Sequence, residues 1–205
     1  MDAPAQALAY ARADFRDVNA GFVLELLARF PDPGPRIIDL GCGPADIPCR
    51  LGEAVPGVVV IGVDASLAML SLARQAIAAR PVALVGARLP ELPFSRGSFD
   101  AVISNSLLHH LPDPGVFWRE VQRVARPGAA LHVMDLYRPE SREQARRIVE
   151  AAAGDADMIL KEDFFNSLLA ALTVDEVQAQ LAEADLSHLP CRVVSERHWL
   201  VSGRV

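Results

Sequence analysis

Between residues 36 and 136 the apolar positions fall into short continuous runs, and between them lie stretches with helical spacing. "RIIDL", "VVVIGVD", "VALVG", "FDAVISN" and "AALHVMDL" are runs of strand length, rich in Val and Ile, without the in-out alternation of a sheet that has one wet face. "ADIPCRLGEAV", "SLAMLSLARQAIAA" and "GVFWREVQRVA" repeat apolar residues at three- and four-residue intervals and predict helices. Strand and helix alternate, so the expected core is a parallel sheet with right-handed crossovers, covered by helices on both faces. An opening helix is predicted over about 17–29, before the "PDPGP" loop. From 139 to about 185 the periodicity is helical throughout, which predicts a helical insertion and one returning helix. "CRVVS" and "ERHWLVSG" close the chain as two strands joined by a very short turn, expected to pair antiparallel at one edge of the sheet.

The 205 residues suit a single domain. With 51% apolar and 22% charged residues the composition is globular, and a net charge of −6 disfavours a surface built for nucleic acid. Cys42, Cys49 and Cys191 show no metal-binding or redox spacing, and no apolar run reaches membrane-spanning length. The start "MDAPAQALAY" has no signal-peptide pattern, and a cytoplasmic protein is expected.

The chemistry lies at the strand ends. "DLGCG" turns a strand into a helix, where backbone N–H groups and the helix end can approach a ligand. A dinucleotide turn wants a third glycine where this chain has Asp46, and a carboxylate there opposes a pyrophosphate. Asp64 ends the second strand, 21 residues after Gly43, where a carboxylate can accept both ribose hydroxyls; its alternative role is to cap the following helix with Ser66. His109 follows the fourth strand and suits a general base, Asp135 ends the fifth, and Tyr137 and Arg138 follow. His109 and His110 are neighbours that a helix points about 100° apart, so they cannot share one metal. Asn105 and Asp135 alone make a poor hard-cation site, and no metal is expected.

"IIDLGCGPADI", "VIGVDASLAML", "LPELPFSRGSFDAVISNSLLHHLPDP" and "EVQRVARPGAALHVMDLYRP" together resemble the class I S-adenosylmethionine-dependent methyltransferases over about residues 35–138. Within them the chain is most similar to the small-molecule branch that includes the ubiquinone and menaquinone biosynthesis enzymes (methyltransferase type 11). The resemblance implies a Rossmann-like three-layer α/β sandwich with a seven-stranded, mostly parallel sheet and an antiparallel strand pair at its edge. It also implies S-adenosylmethionine as cofactor and a small-molecule acceptor, not a nucleic acid.

Carried onto this sequence, Asp39, Gly41, Cys42 and Gly43 match the loop against the methionine part of the cofactor. Asp64, Ala65, Ser66 and Met69 match the ribose segment, and Ala87, Arg88 and Leu89 the adenine segment. Asn105 matches the position near both cofactor and acceptor, so it joins His109, Asp135 and Tyr137 as a candidate for the reaction itself. Tyr10, with Phe15 and Asn19, falls where related enzymes place a lid over the cofactor (residues 1–30), and the 139–170 insertion is expected beside the acceptor. Ala45 departs from the usual glycine and raises the question of left-handed backbone there. Methyl transfer to a small molecule, carried mainly by positioning, is the expected function. Its alternatives are a cofactor-binding module without turnover and a methyltransferase acting on a macromolecule.

Overall fold

The computed structural model describes residues 15–78 and 80–205. Seven strands form one sheet in the order β3-β2-β1-β4-β5-β7-β6. They are β1 (Arg36–Leu40), β2 (Val59–Asp64), β3 (Val82–Gly86), β4 (Phe99–Asn105), β5 (Ala125–Leu136), β6 (Cys191–Ser195) and β7 (His198–Arg204). The first five run parallel, and β7 enters antiparallel between β5 and β6. The helices are α1 (Arg16–Arg29), α2 (Asp46–Ala54), α3 (Leu67–Ile77), α4 (Gly115–Val124), α5 (Arg142–Ala153), α6 (Met158–Ala170) and α7 (Val174–Glu183).

Successive residues of the central strands bury on opposite faces, which is why their sequences read as unbroken apolar runs. Ile38, Val102, Leu131 and Val133 join Phe117, Trp118, Val121, Val177 and Leu181 of α4 and α7 in one core. Ile37, Ala101, Ile103 and Met134 join Phe22, Leu26, Ile47 and Leu51 of α1 and α2 in the other. A smaller cluster under α5 and α6 gathers Ala145, Ile148, Val149 and Leu168 around Leu136.

β5 starts earlier than its apolar run. Ala125 already pairs with Phe99, and the register then shifts before Ala101. The Arg-Pro-Gly that reads as a breaker is absorbed at this irregularity, where a missing N–H is tolerated and Gly128 takes φ +78. α7 is set by a capping box, with Thr173 and Glu176 satisfying each other's backbone N–H groups.

The strand order reverses direction between β1 and β4, and open α/β sheets bind ligands in the crevice that forms at the carboxyl ends of such a pair. Asp39 and Asn105 stand there, both on the α1 side.

His132, in the middle of β5, is fully buried, edge-on to Phe22 at 4.7 Å and 3.0 Å from Ser202 Oγ; its Nε2 has no partner among the described residues. Burial and the nearby Arg29 and Arg192 push its pKa down to about 4. The unfolded chain therefore takes up a proton that the folded one refuses, so this residue makes stability fall as pH drops from the unfolded value of 6.5 toward 4. His132→Gln is expected to remove that component, on the order of 3 kcal/mol across the window, read as the difference between wild-type and variant urea midpoints measured along a pH series.

Candidate functional site

The loop after β1 is fixed by its own backbone. The N–H groups of Gly41 and Cys42 both donate to Val63 O, at 2.8 and 2.9 Å, which clamps the turn to the end of β2. Gly41 has φ +78, and a Cβ there would sit 3.0 Å from Leu107, so both the conformation and the contact favour glycine. Ala45 takes the left-handed conformation as the residue before α2, with φ 68, and is fully buried. The question raised by its missing glycine is answered in favour of strain, at a cost of about 1–2 kcal/mol for a non-glycine residue. Ser106 has φ 61 at the end of β4, so the two loops flanking the crevice both hold strained backbone.

Asp64 ties the loop to the next motif: its carboxylate accepts from Gly43 N–H at 2.9 Å and from Ser66 N–H at 2.8 Å. The helix cap proper is Ser66, whose hydroxyl accepts from Met69 N–H at 3.3 Å. Ala65 is exposed beside Asp64, Met69 is buried beneath it, and Ala87 N–H donates to Asp64 O at 3.2 Å. Ala87 and Leu89 pack on the main core, while Arg88 is exposed. These residues lie together at the ends of β2 and β3, and line neither of the cavities described below.

A cavity of about 190 Å³ lies on the other side of the loop, lined by Asp39, Gly41, Cys42, Gly43 and Asn105 together with Phe15 and Asn19. Asp39 is 2% exposed, and no hydrogen bond to its carboxyl is found among the described residues. Burial, and then the charge of Asp64, push its pKa up to about 8. A carboxyl held without a partner at the wall of a cavity fits a cationic ligand. Asp46, the residue that excludes a pyrophosphate, is occupied differently: it accepts from Asn19 at 2.9 Å and from Arg50 at 2.7 Å. Asn19 in turn accepts from Asn105 Nδ2 at 3.4 Å.

A second cavity, about 420 Å³, opens beyond Asn105 between α1, the short 3-10 turn Leu108–His110, α6 and the β6–β7 turn. Phe15, Asn19 and Asn105 line both cavities and form their common wall. His109 lines the larger one; its side chain is 4% exposed, and its Nδ1 lies 2.5 Å from Asp135 Oδ1. Asp135 is buried behind it and also accepts from the N–H groups of Leu136 and Leu108, each at 2.6 Å. The acid therefore holds the ring in one orientation and keeps the proton on Nδ1, leaving Nε2 as the basic nitrogen.

The sequence candidates thus separate into groups. Asp39, Gly41, Cys42, Gly43 and Asn105 converge on the smaller cavity, Asn105 and His109 on the larger one, and Asp135 stands behind His109. Tyr137 packs on the main core beside Leu172, to which it forms a β-bridge, and lines neither cavity. Tyr10 lies outside the described residues. Phe164 and Asn166 line the larger cavity, whereas Phe165, one residue around the helix from each, lies under Arg142 and Arg146. His198 faces the larger cavity, while Trp199 turns into the core, as strand alternation requires. Arg197 was missed altogether. Its signal was its place in the short turn between the last two strands. Among the described residues no group of three or more His, Cys, Asp or Glu side chains is arranged to hold a metal, and no helix is long and apolar enough to cross a membrane.

A sheet with this order, a glycine loop at its switch point and an acid at the end of β2 agree with the fold and loop expected of an S-adenosylmethionine-dependent transferase. Residues 38–133 match the family described as "Methyltransferase domain". The chain is 32% identical over 164 residues to the 2-phytyl-1,4-naphtoquinone methyltransferase of Synechococcus elongatus, covering 74% of this chain and 70% of that protein. It is 37% identical over 97 residues to the malonyl-[acyl-carrier protein] O-methyltransferase of Legionella pneumophila, covering 47% of this chain but only 34% of the relative's length. A solved SAM-dependent methyltransferase from Aquifex aeolicus superposes with a TM-score of 0.69 at 16% identity, covering 99% of this chain and 98% of the other, and agrees in fold. The protein belongs to the S-adenosylmethionine-dependent methyltransferase family.

Proposed function

We propose that the chain methylates an O–H or N–H group of a small-molecule acceptor, with His109 as the general base. The observation that carries this reading is the common wall: Phe15, Asn19 and Asn105 separate a small polar cavity at the glycine loop from a larger cavity fronted by His109. Asp39 and the glycine loop would hold the methionine end of S-adenosylmethionine, Asp64 its ribose, and Ala65, Ala87 and Leu89 its adenine. When bound, that cofactor supplies a methyl group on a sulfonium that leaves readily. Asn105 and Asn19 orient the groups that meet at the wall, and alignment of this kind supplies roughly 7–11 kcal/mol. His109 Nε2 takes the acceptor's proton, and Asp135 steadies the imidazolium that results. α1 and α6 line the larger cavity on two sides. The Synechococcus relative is named as a methyltransferase of a naphthoquinone, which supports a small-molecule acceptor.

Calorimetry with S-adenosylhomocysteine tests the cofactor assignment, with micromolar binding expected. Transfer of a labelled methyl group to a panel of small phenols, hydroxy acids and amines tests turnover. His109→Gln is expected to keep the calorimetric affinity and to lower transfer by roughly 10²–10⁴-fold. Absence of binding sinks the whole reading, whereas transfer by His109→Gln at the wild-type rate removes only the base.

A further inference from the structure

Two donors face the larger cavity that the methyl-transfer reading leaves without a task. β6 and β7 are joined by a turn at Glu196 and Arg197. Its backbone is pinned: Arg197 O accepts from Tyr137 N–H at 2.8 Å, and Arg197 N–H donates to Ser195 Oγ at 3.3 Å. From that fixed base the half-buried Arg197 side chain lines the cavity, its guanidinium 5.9 Å from the centre of the Phe164 ring. Among the described residues Arg197 makes no ion pair. Asp163, the one carboxylate among the described residues on that cavity wall, is engaged in a contact of its own. A half-buried guanidinium with no ion pair among the described residues keeps its donors available to an anion that enters the cavity.

The neighbouring His198 supplies a second donor. Ser195 Oγ accepts the Arg197 N–H and lies 3.0 Å from His198 Nδ1, and a ring that takes the serine proton at Nδ1 carries its own on Nε2, where it can donate into the cavity. His198 is 9% exposed and lines the cavity. Burial, then the charge of Arg197, push its pKa down to about 4, so at neutral pH it donates as an uncharged ring.

The two residues also have a defined place along the acceptor's path. Asn105 marks the end of the larger cavity shared with the cofactor side. Arg197 and His198 mark another boundary, where the cavity meets an outer groove of about 550 Å³ between α1, α5 and the β6–β7 turn. Asp17 and Glu196 line that groove and disfavour an anion within it, Glu25 being paired with Arg192, so the favourable point for a negative group is the junction itself. We infer that Arg197 and His198 form a carboxylate-binding subsite, and that the acceptor is a small organic acid held by its carboxylate here while a different group is presented to Asn105 and His109. A planar carboxylate matches the guanidinium fork, which a neutral amide of the same shape does not.

This inference rests on the larger cavity being the acceptor site, and its test keeps the two readings apart. The protein, saturated with S-adenosylhomocysteine, is titrated with benzoate, 4-hydroxybenzoate, cinnamate and hexanoate, each against its primary amide, by ligand-observed NMR. At least one acid is expected to bind roughly tenfold or more tightly than its amide, and the advantage should vanish in Arg197→Gln and survive in part in Arg197→Lys. Equal binding of acids and amides, no binding by any acid, or an advantage that persists in Arg197→Gln overturns the subsite. S-adenosylhomocysteine affinity should be the same in Arg197→Gln and wild type. If the wild type fails to bind it, the methyltransferase reading fails first, and a carboxylate preference measured without it still reports on Arg197.

Discussion

Asp135→Ala is expected to lower the stability of the protein by about 3–5 kcal/mol, a large part of what a domain of this size possesses. The acid is 1% exposed and accepts from three donors: Leu108 N–H, Leu136 N–H and the His109 ring. Alanine leaves two backbone N–H groups and an imidazole buried without partners, and each orphaned group costs roughly 1–3 kcal/mol. Urea unfolding checks the value, and a loss below about 1 kcal/mol would contradict the geometry. Asp135→Asn tests the chemistry at a smaller cost in stability than alanine. It keeps the shape, but its NH2 end meets a backbone N–H whichever way it sits, Leu136 on the His109 side or Leu108 on the other. With that donor against Nδ1, the His109 proton is expected to move to Nε2, visible in the ¹⁵N shifts of the ring. The same change is expected to reduce labelled methyl transfer while leaving S-adenosylhomocysteine binding intact. A ring that keeps its wild-type tautomer in this variant would deny Asp135 its orienting role.

The alternation of strand-length runs with helical periods made the three-layer sheet legible, because strands covered on both faces need apolar residues at every position. The glycine loop was equally legible, since positive φ and the close approach of Leu107 leave few residues able to stand at Gly41. Asp64 could be placed but not characterised: only the structure separates its hold on Gly43 from the capping left to Ser66. What was hidden depends on contacts between residues far apart in sequence. Asp135 and His109 are 26 residues apart, and Asn105 and Asn19 are 86 apart. No periodicity reports such pairs, because they are set by which strand ends meet across the switch point. Arg197 and His198 were hidden for a related reason. Their turn reaches the larger cavity only because β7 inserts between β5 and β6, which places the end of the hairpin beside α6.

The polar wall between the cavities has a physical logic of its own. Asn105, Asn19, Asp46 and Arg50 form a chain that links β4, α1 and α2. Asp46 in this chain neutralises Arg50 and anchors Asn19, so α1 is held over the loop by side chains rather than by packing alone. A residue that first reads as a defect in a dinucleotide turn is thus the support for the helix that covers the site.

Binding of S-adenosylhomocysteine is expected to release most of one proton at neutral pH, with Asp39 as its source. In the ligand-free protein this buried carboxyl has a pKa of about 8, raised by desolvation and by Asp64, and is therefore largely protonated. A bound ammonium group at the wall of the smaller cavity favours the ionised form and lowers that pKa. Linkage then requires affinity to rise with pH, by roughly tenfold per unit, until the medium reaches the free-state value near 8. Calorimetry in two buffers with different ionisation heats measures the proton count directly. Asp39→Asn is expected to bind more weakly with no proton released, and comparison with this variant cancels any titration of the ligand's own amine. The same raised pKa has a second consequence for the ligand-free fold. A carboxyl that ionises at 3.8 when unfolded but near 8 when folded costs stability as pH rises through that window, so Asp39→Asn is expected to stabilise the free protein by several kcal/mol at pH 8 and hardly at all at pH 4. A variant that weakens ligand binding and strengthens the empty fold would show that the chain accepts an unfavourable buried acid in order to hold a cation. An equal proton count in wild type and variant would place the linkage elsewhere.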